Sequence, residues 1–167
     1  ITSFSAYSFA GCVQLLTASV SNTLQTLGSH AFDGCKALTA ISLPSTVKTI
    51  GSYAFYDCNS MASANVPDGV PGIEEYTFFG CSSLGKIELP ATVKYIGQYA
   101  FYGCIAASSA NIPSACTSIG AYAFYNCKSV LSLSIPDSVT SIGDYAFRSC
   151  VLLSEITIGD NVSSLGA

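Results

Sequence analysis

The apolar positions of this chain return in a fixed order. Ile41-Ser42-Leu43 alternates apolar and polar, and the alternation recurs at Ile87-Glu88-Leu89, Leu133-Ser134-Ile135 and Ile156-Thr157-Ile158. A period of two predicts a short strand with one buried face. Proline follows at Pro44, Pro67, Pro90, Pro113 and Pro136, where the missing N–H ends a ladder and the fixed φ starts a corner. Later in the unit, Phe55, Cys58 and Met61 stand three apart, and Ala54 and Cys58 four apart. That spacing predicts a single turn of 3₁₀ or α-helix, and too few residues remain for a long helix.

The unit has one length. Cysteines fall at Cys12, Cys35, Cys58, Cys81, Cys104, Cys127 and Cys150, always 23 residues apart. Three positions before each stands a phenylalanine, from Phe9 to Phe147, and five before stands Tyr7, His30, Tyr53, Tyr76, Tyr99, Tyr122 or Tyr145. A fixed period in this range with an L-x-x-I-x-L core marks a leucine-rich solenoid. A coil this short cannot bury its own apolar edge and must lay it against its neighbours. The expected fold is therefore a leucine-rich-repeat solenoid of about seven 23-residue coils. A parallel β-sheet lies on the concave side and short 3₁₀ or α turns and loops on the convex side. Residues 1–167 form one domain.

The string Ile96-Gly-Gln-Tyr-Ala-Phe-Tyr-Gly-Cys104 has near copies at 50–58, 119–127 and 142–150, and the strand signal I-x-L-P stands at Ile41 to Pro44 and Ile87 to Pro90. Over essentially its whole length the chain resembles the BspA-like, or Treponema pallidum type, leucine-rich repeat family. The resemblance implies a non-enzymatic module of a microbial surface protein used in adhesion. Departures are Pro71, Gly72, Glu74 and Glu75 in the third unit, and alanine at the central strand position in Ala18, Ala64 and Ala110. Ser-Ala-Asn-Val-Pro67 and Ser-Ala-Asn-Ile-Pro113 lie 46 residues apart and suggest a doublet in which large and small residues pack one column. No polar capping repeat is read at either end, so 1–167 is expected to be an excerpt of a longer array, with self-association as the other way to cover the ends.

Composition narrows the partners. Half of the residues are hydrophobic and 10% are charged, which excludes a disordered segment. A net charge of -4 leaves no electrostatic footprint for nucleic acid or an anionic membrane. Polar residues interrupt every apolar run, so no membrane insertion is expected within this segment. No secretory signal is read at its start, and one would lie upstream.

Candidate chemistry dissolves into the repeat. In-register thiols point the same way instead of toward each other, which disfavours disulfides, and no paired C-x-x-C spacing exists for zinc. Cys116 occupies the column of Val93 and Val139 and reads as a small buried hydrophobe, as do the ladder cysteines. His30 replaces a tyrosine in a repeated column, and no catalytic partner is apparent. Gly80 to Ile87 matches most of a phosphate-binding loop, but Ile87 replaces the hydroxyl residue and no helix follows. Glu74 and Glu75 are adjacent and diverge, so they do not form an acid and base pair. Asn161-Val-Ser163 is a glycosylation sequon, meaningful in a secreted eukaryotic chain. No cofactor is expected.

Surface remains. Outward strand residues form two columns, mostly small and neutral, with Lys86, Glu88 and Glu155 as their only charges and Asn65 and Asn111 among their amides. A partner there would meet hydrogen-bonding groups, whereas the bland reading is a solvated sheet. A second candidate is the aromatic stripe Tyr56, Phe79, Tyr102 and Tyr125, partly exposed, which either anchors a partner or stabilises neighbouring coils. The expected function is a rigid platform for a protein or glycan ligand at a cell surface or in a secreted protein. The alternative is a structural component of a larger intracellular assembly, and an enzyme is disfavoured.

Overall fold

The computed structural model describes residues 1–167 as a stack of coils built from strands and turns, with no helix. The predicted strands pair in parallel. Thr17–Ala18, Ala40–Ile41 and Ser63–Ala64 form one sheet, Ile87 bridges to Ala110, and Ser132–Ile135 pairs with Glu155–Ile158. The register places Ala18 opposite Ile41 and Leu133 opposite Ile156, each one repeat apart.

A second parallel ladder runs along the stack in two parts, and the sequence reading did not anticipate it. Ser3–Phe4, Thr26–Leu27 and Thr49–Ile50 make its first part; Tyr95–Ile96, Ser118–Ile119, Ser141–Ile142 and Ser164–Leu165 make its second. Two-residue strands show no alternation, so periodicity cannot reveal them. Glycine after the isoleucine reflects close approach of the coils: a Cβ on Gly143 would lie 2.3 Å from the Ala121 nitrogen. In the third unit Glu74 occupies this position, and Ile50 has no pairing to Ile73, although Ile73 bridges to Ile96.

The expected turn of helix is replaced by successive hydrogen-bonded turns, such as Tyr56 N–H to the Tyr53 carbonyl at 3.1 Å and Cys58 N–H to that of Phe55 at 3.2 Å. The aromatic residue two before each phenylalanine is left-handed, with φ of 59° at Tyr53, 56° at Tyr99 and 57° at His30. A second left-handed residue follows four positions on, glycine at Gly34, Gly80 and Gly103 but Asp57, Asn126 and Ser149 elsewhere. A left-handed backbone costs a non-glycine residue roughly 1–2 kcal/mol and cannot continue a helix. What it provides is a third ladder. Alternate amides turn toward the next coil, so that Tyr99 donates to the Ala121 carbonyl at 3.0 Å, Phe101 to Ala123 at 2.8 Å and Gly103 to Tyr125 at 2.8 Å.

Inside these ladders lies one continuous core of 38 buried residues. The phenylalanines from Phe9 to Phe147 line up in a single column, with successive rings stacked 5.1 to 5.7 Å apart. All eight cysteines are free. They do more than fill space. The thiol of Cys58 donates to the Phe32 carbonyl at 3.1 Å, and the thiols of Cys35, Cys81, Cys104, Cys127 and Cys150 repeat the contact at 3.1 to 3.4 Å. Each phenylalanine carbonyl from Phe9 to Phe124 thus accepts from the cysteine amide of its own coil and from the thiol of the next, as at Phe32, where the Cys35 amide lies at 3.1 Å. Burial pushes the Cys35 thiol up to about 11 and those of Cys58, Cys81, Cys104 and Cys127 higher still. These groups stay protonated and keep their donor at neutral pH.

Candidate ligand site on the strand face

Both outward columns of the strand sheet face solvent, from Thr17 to Glu155 and from Ser19 to Thr157. The sheet is not continuous beneath them. No strand pairing joins Ala64 to Ile87 or Ala110 to Leu133, and no backbone hydrogen bond joins Ala64 to Lys86 or Glu88. Immediately outside the gap the coils remain tied, with the Gly85 amide donating to the Ala62 carbonyl at 3.1 Å. Both gaps follow an alanine coil, at Ala64 and at Ala110, whereas the equivalent Ala18 pairs with Ile41 of the coil after it, so the small side chain alone does not open the sheet.

A shallow depression of about 610 Å³ lies over the first gap. Ser63, Ala64 and Asn65 form its floor, and Ser42, Asp68 and Glu88 stand around it. A second depression of about 290 Å³ adjoins it, bounded by Ser63, Lys86 and Glu88. Lys86 and Glu88 are exposed and make no ion pair within the chain, whose sole ionic contact is His30 with Asp33. The structure therefore brings Asn65, Lys86 and Glu88 together. Glu155 lies apart, beside Ser132 and Ser134 in a depression of about 180 Å³.

Asn65 and Asn111 are exposed residues with an internal task. The Asn65 carboxamide accepts from the Leu43 amide at 2.8 Å and donates to the Leu43 carbonyl at 2.9 Å; Asn111 does the same for Leu89 at 2.7 and 2.9 Å. The reason is visible at Ile135, whose carbonyl accepts from the Gly159 amide at 2.9 Å. The residues equivalent to Gly159 in the coils after Leu43 and Leu89 are Pro67 and Pro113, which have no N–H. The asparagine side chain replaces the missing donor. The doublet seen in the sequence is thus a hydrogen-bonding device as well as a packing one, and both amides are already engaged before any ligand arrives.

The aromatic stripe is also committed inward. Tyr56, Phe79, Tyr102 and Tyr125 stack at 4.6 to 4.8 Å with ring planes within 7°. Tyr53, Tyr76, Tyr99 and Tyr122 stack beside them at 4.5 to 4.7 Å, and the two columns touch through tilted pairs such as Tyr99 and Tyr102 at 5.7 Å. All eight rings are half-buried. Ring faces are covered by rings, so a partner would meet edges only, and none of the four stripe residues borders the depressions of the strand face.

Two further clusters have structural explanations. The His30 Nδ1 lies 2.7 Å from the Asp33 carboxylate, and its ring is sandwiched between Tyr7 at 4.4 Å and Tyr53 at 4.5 Å. In the irregular third unit the Tyr95 hydroxyl donates to Glu74 at 2.5 Å. Its ring lies over Gly72, where a Cβ would come within 2.2 Å of it. The hydrogen bond to the carboxylate, and then burial, hold the Tyr95 phenol up at about 12. No group of three or more His, Cys, Asp or Glu converges as metal ligands, and no helix is long and apolar enough to cross a membrane.

Comparison with known proteins follows the same lines. The model of the BspA type leucine rich repeat region matches in six copies over residues 2–130 and 49–167. A leucine-rich repeat protein from Bacteroides ovatus is 31% identical with a TM-score of 0.74, over 90% of this chain and 48% of that one. The Treponema pallidum leucine rich repeat protein is 28% identical with a TM-score of 0.64, over 99% of this chain and 67% of that one. A leucine-rich repeat protein from Eubacterium ventriosum is 29% identical with a TM-score of 0.75, over 89% of this chain and 42% of that one. The chain spans about half the length of the Bacteroides protein. No curated protein matches it. Repeat length, register and the family match agree, and the chain belongs to the BspA-type leucine-rich repeat family.

Proposed function

We propose that this chain is a non-enzymatic interaction module of a microbial surface protein, and that it holds a protein or glycan ligand on its strand face. The observation that carries the reading is the opening between Ala64 and Glu88. There a shallow depression combines unpaired strand backbone with the free charges of Lys86 and Glu88 and the carboxylate of Asp68. A rigid face with hydrogen-bonding groups and few charges suits an extended ligand that presents its own donors and acceptors. The aromatic columns serve cohesion, because their faces are occupied by one another. Family membership supports a surface location, and the greater length of the Bacteroides relative supports a place within a longer repeat array.

The test is a screen of extended peptides and oligosaccharides against the chain, followed by variants on the strongest binder. Lys86→Glu combined with Glu88→Lys is expected to weaken binding at least tenfold while leaving the unfolding midpoint unchanged. Tyr102→Ser and Tyr125→Ser, each judged against its own loss of stability, are expected to leave the affinity of the folded fraction alone. Binding that survives the charge reversal and disappears with the tyrosine changes would move the site to the aromatic columns and overturn the reading.

A further inference from the structure

The paired aromatic columns hold a feature that ligand binding does not use. Tyr99 and Tyr102 occupy one coil, Tyr122 and Tyr125 the next, and this is the single place where both columns carry tyrosine in adjacent coils. Tyr99 stacks on Tyr122 at 4.7 Å with planes 4° apart, and Tyr102 on Tyr125 at 4.8 Å with planes 2° apart. Within each coil the rings meet at 5.7 and 5.6 Å. These four phenols form a contiguous, half-buried block across two coils, and the first column continues from it through Tyr76, which stacks on Tyr99 at 4.7 Å. In the coils before it, Phe79 interrupts the second column; in the coil after it, Arg148 takes the equivalent place and lies 5.2 Å over the Tyr145 ring.

We propose that Tyr99, Tyr102, Tyr122 and Tyr125 are a site of oxidative modification, at which dityrosine bonds join Tyr99 to Tyr122 and Tyr102 to Tyr125. The co-reactant is hydrogen peroxide acting through a peroxidase or an equivalent one-electron oxidant. Two phenols each lose one electron and the hydroxyl proton to give phenoxyl radicals. The radicals couple through ring carbons next to the oxygens, and each of those carbons then releases its proton to restore the phenol. One carbon–carbon bond forms, two electrons and two protons leave, and one peroxide is reduced to two waters.

Geometry favours coupling within the chain over coupling between chains. Backbone bonds from Tyr99 to Ala121 at 3.0 Å and from Gly103 to Tyr125 at 2.8 Å tie the two coils and set the partner rings side by side. A radical formed on one ring thus has its partner in contact, whereas a second molecule must diffuse to it. The thiols, ordinarily the first groups to be oxidised, are buried and protonated in the ladder from Cys35 to Cys127. Cys12 alone is fully exposed. The bonds formed would staple two coils of a solenoid whose cohesion is otherwise non-covalent.

The experiment treats the whole chain, in a Cys12→Ser background, with a peroxidase and peroxide, and maps cross-linked peptides by mass spectrometry. Expected are monomeric products that have lost two hydrogens per bond, joined at Tyr99 with Tyr122 and Tyr102 with Tyr125, and a raised unfolding midpoint. In a Tyr99→Phe, Tyr102→Phe variant both bonds should vanish, while Tyr53, stacked at 4.5 Å on Tyr76, remains as an internal reporter of oxidation. Absence of dityrosine at these pairs would overturn the proposal. So would bonds found only between chains, or the same pairs forming equally in urea-unfolded protein.

Discussion

Asn65 closes both backbone groups of Leu43 with a single carboxamide, accepting at 2.8 Å and donating at 2.9 Å. Because Pro67 has removed the ordinary donor, Asn65→Ala leaves the Leu43 amide and carbonyl without these partners. A loss of about 1–3 kcal/mol is expected, read by urea unfolding. Asn65→Asp keeps the acceptor, loses the donor and should fall between wild type and alanine. A neutral Asn65→Ala would show that water serves Leu43 equally well.

Alkaline pH should loosen the fold in a defined window. Folding raises Cys35 from 9.0 to about 11 and Tyr95 from 10.0 to about 12. Such groups favour the folded state fully below their unfolded values, and the contribution is lost as pH rises through the folded ones. Thermal unfolding midpoints should hold up to a pH of about 9 and then decline toward about 12. Tyr95→Phe should flatten the upper part of that decline. At neutral pH a thiol reagent is expected to label Cys12 rapidly and the buried ladder only after denaturant is added.

Glycine positions should separate into two kinds. Gly143 has no room for a Cβ beside the Ala121 backbone, so Gly143→Ala should force coils apart and cost several times more than Gly103→Ala. At Gly103, where φ is 72°, an added methyl meets only ordinary contacts and the cost is backbone strain of roughly 1–2 kcal/mol. Ser149, with φ of 65°, should gain about 0.5–1 kcal/mol on replacement by glycine. Calorimetric midpoints of the three variants check the order.

Much of this architecture was legible because a repeat displays each constraint several times. The phenylalanine column, the strand at Ile41 and the prolines that end it followed from spacing alone. The second ladder at Leu27 and Ile50 was hidden because it is two residues long, and the left-handed tyrosines because nothing in the residue type demands φ above zero. The role of Asn65 could have been found from the missing N–H of Pro67, once coils were placed in register. Lys86 and Glu88 were legible as isolated charges on a neutral face; the gap beside them was not, since Ala18 and Ala64 read alike in the sequence although Ala18 pairs with the coil after it and Ala64 does not.

Residue-resolved hydrogen exchange of the native chain addresses the central claim, that in-register coils leave the strand face open beside Ala64. Strong protection is expected at the amides of Phe55, Phe78, Phe101 and Phe124, each bonded to the following coil at 2.8 to 2.9 Å, and at Ile87, bonded to Ser109 at 2.9 Å. Fast exchange is expected at Ala64 and Glu88. Protection at Ala64 and Glu88 equal to that at Ile87 would mean a closed sheet and contradict the site; unprotected phenylalanine amides would contradict the stacking itself.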